Sequence, residues 1–407
     1  MSHQDYKKYD KARDLFPFFS SSEGEGSIYF DHAAMGLWPE PVIEKVQQFQ
    51  FSPFGKKRLD GLLSSISTSL KVNKEWIYPN MGAHMAFERM VQFLDRGKFC
   101  RFLIDPLSHK AITNPLDALV SRDRGSYQFL KLGEDHQIDP QSLLSGLSKD
   151  ITAVVLNQVG NLHGHEQFLE HLYELICQFN QENGSSVLLI VDGSQAPARL
   201  KLKVPPCDIF FFAQQKCFSL PGAVTIISDT AAKVLASKED IAEARHFLKE
   251  FYMAGTPHFL SILSFAQTLE FLIDLDEGMV FKSFHRLKIL EELSSHCYQK
   301  IKELPGVCVL GDHDGYLKTN RGILSFVIKG YNQGEIAREL AQFGIYLRCG
   351  ALDQFQHYFC VPNAHKVYPL LEECNGALRV SLQYMNTVEE LDRFFTMLKR
   401  IAPRHKG

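Results

Sequence analysis

VLLIVDGSQAPARLKLKVPPCDIFFFAQQKCFSLPGAVTIIS, residues 187–228, contains apolar runs that stop at chemically active residues. VLLIVD (187–192) ends in Asp192, with Gln195 three residues on. DIFFFA (208–213) ends in Ala213, and Lys216 follows in a loop that holds Pro221 and Gly222. AVTIIS (223–228) begins directly after that loop. Each run has strand length and is apolar throughout rather than alternating, which is the pattern of a strand buried on both faces.

Similar runs lie upstream, CRFLID (100–105) and ITAVVLN (151–157). Between ITAVVLN and VLLIVD, Phe168, Leu172, Leu175, Ile176 and Phe179 share one helical face over residues 166–182. Strand, helix and strand in alternation predict an α/β layer with a mainly parallel sheet. The C-terminal third reads differently. A helix is predicted near 284–304, strands at ILSFVI (323–328), GIYLR (344–348) and ALRVSL (377–382), and a final helix opened by the capping box Thr387-x-x-Glu390. That helix would turn Leu391, Phe394, Phe395 and Leu398 inward. The expected organisation is an N-terminal arm (1–26), a large α/β domain (27–270) and a smaller α+β domain (271–407).

Composition excludes several classes. With 44 Lys and Arg against 47 Asp and Glu, the chain is not a strongly basic nucleic-acid binder. Its 31 Phe and 14 Tyr argue against an acidic disordered protein. No apolar run is long enough for a membrane span, and the polar N-terminus lacks the core of a signal peptide. The nine Cys form no CxxC pair, so neither a zinc cage nor a disulfide framework is expected; a reducing, cytoplasmic location is. Neither GxGxxG nor GxxxxGK[ST] occurs.

In an α/β sheet, ligands bind at the carboxyl ends of the strands, where Asp192 and Lys216 both fall. A lysine with a deprotonated amine in a partly dry site can form a Schiff base with an aldehyde cofactor. An aspartate can hold the proton on a pyridine nitrogen and keep the ring an electron sink. Together these are what pyridoxal 5'-phosphate requires.

At these residues the chain resembles the class V aminotransferases, the fold-type I pyridoxal-phosphate enzymes that include the cysteine desulfurases. The likeness runs from about residue 27 to 400. YFDHAAMGLWPEPV (29–42) is similar to the family's opening Y-L-D-x-A-A segment, and MGAH (81–84) stands where the family has the G-A-T turn that holds the cofactor phosphate. This implies Gly82, Ala83 and His84 as phosphate contacts, at a helix N-terminus suited to anions. SHKAITN (108–114) resembles E-H-K-A-V and implies that His109 stacks on the pyridine ring. NLHG (161–164) resembles N-E-x-G, which points to Asn161 at the phenolic oxygen. VDGSQ matches V-D-x-x-Q, with Asp192 at the ring nitrogen and Gln195 at the phenolic oxygen. AGTP (254–257) implies that Thr256 reaches a partner subunit's phosphate, hence a homodimer with shared sites. LRVSLQYMNTVEELDRF (378–394) resembles R-x-S-x-x-x-Y-N-T-x-x-E and implies that Arg379, with Arg348 as a possible helper, clamps an amino-acid carboxylate.

The departures bear on reaction type. Gln215 stands where desulfurases have a His before the lysine, Ala213 replaces a phosphate-contacting Ser, and His84 replaces a Thr. In YLRCGALDQF the position of the desulfurase nucleophile, 353, is Asp, which cannot accept sulfur; Cys349 and Cys217 stand elsewhere. The resulting expectation is a pyridoxal-phosphate-dependent aminotransferase of class V type, with Lys216 as Schiff-base lysine and general base. The alternatives are a cysteine desulfurase or C–S lyase, an epimerase, and an inactive binding protein of the same fold. Trp38 and Phe355 hint at an apolar pocket.

Overall fold

A computed structural model describes residues 12–49, 55–253, 257–279, 285–350 and 360–405. The strands, in chain order, are β1 (Ile28–Tyr29), β2 (Ile77–Asn80), β3 (Cys100–Ile104), β4 (Gly125–Phe129), β5 (Ala153–Asn157), β6 (Leu188–Asp192), β7 (Ile209–Ala213), β8 (Ala223–Ile227), β9 (Val307–Val309), β10 (Ile323–Ile328), β11 (Ile345–Tyr346), β12 (Arg348–Gly350) and β13 (Ala377–Ser381).

Seven of them form one sheet in the order β2-β8-β7-β6-β5-β3-β4. β4, β3, β5, β6 and β7 run parallel, while β8 is antiparallel to both β7 and β2. This is the mainly parallel sheet expected, and it has seven strands. β5 to β8 are buried at every residue because both faces are covered. Alternate side chains feed different cores. Leu189, Val191, Phe210 and Phe212 pack into one, and Leu188, Ile190, Ile209 and Phe211 into the other. Each such fully buried side chain contributes roughly 1.5–3 kcal/mol. β2 is an edge strand, which is why it tolerates Pro79.

The helix Leu169–Asn183 buries Leu169, Leu172 and Ile176. Phe168, expected on that face, is 57% exposed at the N-cap position, where the chain has not yet entered the helical repeat. The helix Phe259–Asp276 runs across the boundary drawn at 270 and packs on the helices Gly55–Leu70 and Glu40–Gln47.

In the C-terminal third, β12-β13-β10-β9 form an antiparallel sheet backed by the helices Arg286–Lys302, Gln333–Gln342 and Val388–Ile401. The capping box at Thr387 and Glu390 is formed, and Leu391, Phe394, Phe395 and Leu398 are buried. One pairing crosses the expected division. β1, assigned to the large domain, lies parallel to β11, with Ile28 opposite Ile345. Burial explains the placement, since Ile28, Phe30 and Ile345 are enclosed in the same core.

Four histidines also join distant segments. His136, His163, His165 and His313 pack with ring centroids 4.6–5.8 Å apart. His165 bridges Thr319 Oγ1 at 2.7 Å and the Gly311 carbonyl at 2.9 Å. Burial lowers His136 and His165 to about 4 and about 3, so both rings are neutral at neutral pH.

Candidate active site

The carboxyl ends of β3, β5, β6 and β7 meet at one edge of the sheet. Asn157 and Asp192 are register partners at the ends of β5 and β6. β7 ends at Ala213, and a single 3-10 turn, Gln214–Cys217, carries Lys216 off it. The turn closes through Phe218 in the left-handed region. Gly36 lies so close that a Cβ there would sit 2.8 Å from the Phe218 backbone nitrogen, and its N–H donates to the Gln215 carbonyl at 2.8 Å.

Lys216 is partly buried, and burial lowers its amine to about 8 against the raising effect of Asp192; Arg379 and Arg199 lower it further. A fraction of the amine is therefore neutral and nucleophilic near neutral pH. Asp192 is buried and uses Oδ1 to accept from the Ser194 amide at 2.8 Å, which leaves Oδ2 for a ligand. Ser194 Oγ in turn accepts from the Ala213 amide, tying the ends of β6 and β7 together.

His109 is the N-cap of the helix Lys110–Val120, and its Nδ1 accepts from the Ala111 amide at 3.0 Å. Burial and the Lys216 charge lower this ring to about 4, outweighing Asp192. The imidazole is thus neutral, with its proton on Nε2 and its plane fixed, as a stacking platform requires. His109, Asp192 and Lys216 thus follow the carboxyl ends of β3, β6 and β7 in the same sheet.

Arg379, on β13, donates from Nη1 to the Asn161 carbonyl at 3.0 Å and from Nη2 to Asp31 at 3.1 Å. Its buried Nε–H has no partner among the described residues. Arg348 is half exposed and pairs with the other oxygen of Asp31 at 2.9 Å. Gln195 is buried, and its amide nitrogen donates to the Ala33 carbonyl at 2.8 Å, which leaves one amide hydrogen for a ligand. Asn161 is brought in beside Arg379.

Gly82 is the N-cap of the helix Ala83–Leu94 and makes no side-chain cap. The first-turn amides of Ala83 and His84 are therefore presented to an anion. His84 itself is exposed. Ser108 Oγ, Gln214 Nε2 and Gln215 Oε1 are buried without partners among the described residues. This donor set, an uncapped helix start, a depressed amine, a neutral flat ring and a carboxylate oxygen, fits pyridoxal 5'-phosphate. Thr256, position 353 and Phe355 lie outside the described residues.

Two participants escaped the sequence reading. Asp31 neutralises half of the arginine pair. Asp105 follows β3, is buried, and accepts from the Leu107 amide at 2.8 Å; burial and Asp192 raise it. Its signal was present, since CRFLID ends in Asp as VLLIVD does. Neither cysteine singled out is poised to react. Burial pushes Cys349 up to about 11 and Cys217 up to about 12, so both stay protonated thiols.

The aminotransferase class-V family model matches residues 78–394. A probable cysteine desulfurase of Pseudomonas aeruginosa is 24% identical over 415 residues, covering 95% of this chain and 96% of the relative. One from Pasteurella multocida is 26% identical, covering 94% and 90%. Among solved structures, the apo cysteine desulfurase from Thermococcus onnurineus NA1 superposes with a TM-score of 0.76 at 17% identity, covering 99% of both chains. A C-DES variant with glycine covalently linked to its PLP cofactor gives 0.74 at 16% identity, covering 96% of this chain and 99% of that one.

Proposed function

Because the chain belongs to the class-V aminotransferase family, we propose that it is a pyridoxal-phosphate enzyme that cleaves the carbon–sulfur bond of a cysteine-type amino acid. The observation that carries the reading is the placement of His109, Asp192 and Lys216 at the carboxyl ends of β3, β6 and β7 in one sheet, with Arg379 reaching in from β13 to the Asn161 carbonyl. The choice of a sulfur substrate is supported by relatives named probable cysteine desulfurase along nearly their whole length. When bound, pyridoxal 5'-phosphate supplies an aldehyde for an amine and a ring that withdraws the electron pair left at the substrate's α-carbon.

The residues divide the remaining work. The N-cap Gly82 and the first-turn amides of Ala83 and His84 would hold the phosphate. His109 would stack on the ring, Asp192 Oδ2 would hold the proton on the ring nitrogen, and Gln195 and Asn161 would serve the phenolic oxygen. Arg379 takes the substrate carboxylate through its unpartnered Nε–H and a neighbouring Nη donor. The free amine of Lys216 would be a base of about the right strength to remove the α-proton. With Cys349 and Cys217 held as thiols, the sulfur leaves as sulfide, and cysteine plus water yields pyruvate, ammonia and hydrogen sulfide.

Transamination is the second reading, favoured by Gln215 and Ala213 at the positions where desulfurases carry His and Ser. An amino-acid panel on the holoenzyme separates the two. Sulfide and pyruvate appearing together from cysteine support lyase chemistry. A keto acid from a sulfur-free amino acid, with no sulfide from cysteine, overturns it in favour of transamination. A homodimer is part of the proposal, and the apolar, exposed Met81 and Met85 beside the phosphate turn suit a partner surface.

A further inference from the structure

A cavity opens between the loop after β6 and the helix Arg286–Lys302. It holds about 310 Å3 and is lined by Gln158, Arg199, Lys203, Leu290 and Arg321, among others. None of Lys216, Asp192, His109 or Arg379 lines it.

Its floor is electrically incomplete. Arg199 is 2% exposed. Its Nη1 donates to the carbonyls of Arg321 at 2.8 Å and Leu382 at 2.9 Å, but its Nη2 has no partner among the described residues. No described carboxylate lies within ion-pair distance of it, and burial with the nearby Arg379 charge lowers it to about 9. A buried guanidinium without an opposite charge beside it is costly, because no counter-charge offsets its lost hydration. The other charges do not supply one. Arg321 is already paired with Glu166 at 2.7 Å. Among the other lining residues Lys201 and Lys203 are matched in number by Glu170 and Glu291, so the lining as a whole keeps one positive charge. Gln158 adds a buried side-chain oxygen without a partner, at a position where the amide can turn either its oxygen or its NH2 inward.

We infer that this cavity is a binding site for a small oxyanion, a carboxylate or a phosphate, seated between Arg199 and Gln158. The anion completes the guanidinium, and the Gln158 amide donates to a second oxygen or accepts from a hydroxyl. The site does not depend on the reaction proposed above.

Isothermal titration of the cofactor-loaded protein tests it, since loading occupies the phosphate turn at Gly82. Inorganic phosphate and acetate are titrated separately at constant ionic strength, into wild type, Arg199→Met and Gln158→Met. Saturable binding of either anion to wild type, lost in Arg199→Met and weakened about tenfold in Gln158→Met, is the expected result. The anion that binds more tightly identifies the class. If Arg199→Met does not fold, Gln158→Met decides alone. Absence of saturable binding, or binding that neither substitution changes, overturns the proposal. Should the protein retain no pyridoxal phosphate, the same titrations on the unloaded protein still decide it through their dependence on Arg199 and Gln158.

Discussion

Asp31 holds Arg379 by a single contact, Oδ1 to Nη2 at 3.1 Å, while its other oxygen holds Arg348. One carboxylate therefore gathers two guanidinium groups and leaves the trio with a net charge of about +1, enough for one substrate carboxylate. The Asn161 carbonyl gives Arg379 a second anchor. Asp31→Asn keeps a hydrogen-bond acceptor for Arg379 and removes the repelling charge. A severalfold lower KM with little change in kcat is expected from steady-state kinetics. A higher KM would show that Asp31 acts mainly as an anchor.

Arg379→Lys keeps the charge but loses the planar fork and the Nε–H that no described residue satisfies. A fall in kcat/KM of about a hundredfold, corresponding to ~2.7 kcal/mol, is expected. It should be carried mostly by KM.

Lys216→Ala should abolish the visible absorption that cofactor attachment produces, together with turnover. A variant that keeps both would remove Lys216 from its proposed role.

Without cofactor, Lys216 also makes a stability prediction. Its folded value is about 8, below the ordinary lysine value of 10.5. Between those values the unfolded chain binds the extra proton, so wild-type stability rises with pH across this window. Below about 8 the buried cation is a full penalty. Lys216→Met should therefore stabilise the cofactor-free protein at pH 7 by about 1–2 kcal/mol after allowance for partial exposure, with the gain shrinking as pH rises toward 10.5. Thermal melts over that range check the slope.

The histidine cluster has the matching dependence in acid. His136 sits at about 4 and His165 at about 3, below the ordinary histidine value of 6.5. As pH falls through 6.5 the unfolded chain takes up protons that the folded rings refuse, so stability is lost down toward pH 4. His136→Asn should flatten that loss in denaturant titrations while leaving pH 8 stability within about 1 kcal/mol.

The central strands were legible because β5 to β8 are enclosed on both faces, so their sequences are apolar without interruption. β2 and β4 were not, since IYPN contains a proline and GSYQF mixes small and polar residues at the sheet's two margins. Phe168 misled because a helix face read from spacing says nothing about where the first turn begins. Lys216 and Asp192 announced themselves by standing at strand ends. Asp31 and Arg199 did not, because their importance comes from partners remote in the chain, or from the lack of one. The β1–β11 pairing was hidden for the same reason, as two-residue strands carry no periodic signal.

Arg379 and Asp31 stand 348 positions apart, and Ser381 Oγ both accepts from the Ala33 amide and donates to the Phe30 carbonyl. The opening segment is thus stitched to β13, the last of the described strands. During synthesis the proposed carboxylate clamp has no existence until Arg379 has emerged, so a nascent or truncated chain carries the lysine and its aspartate long before that clamp can form.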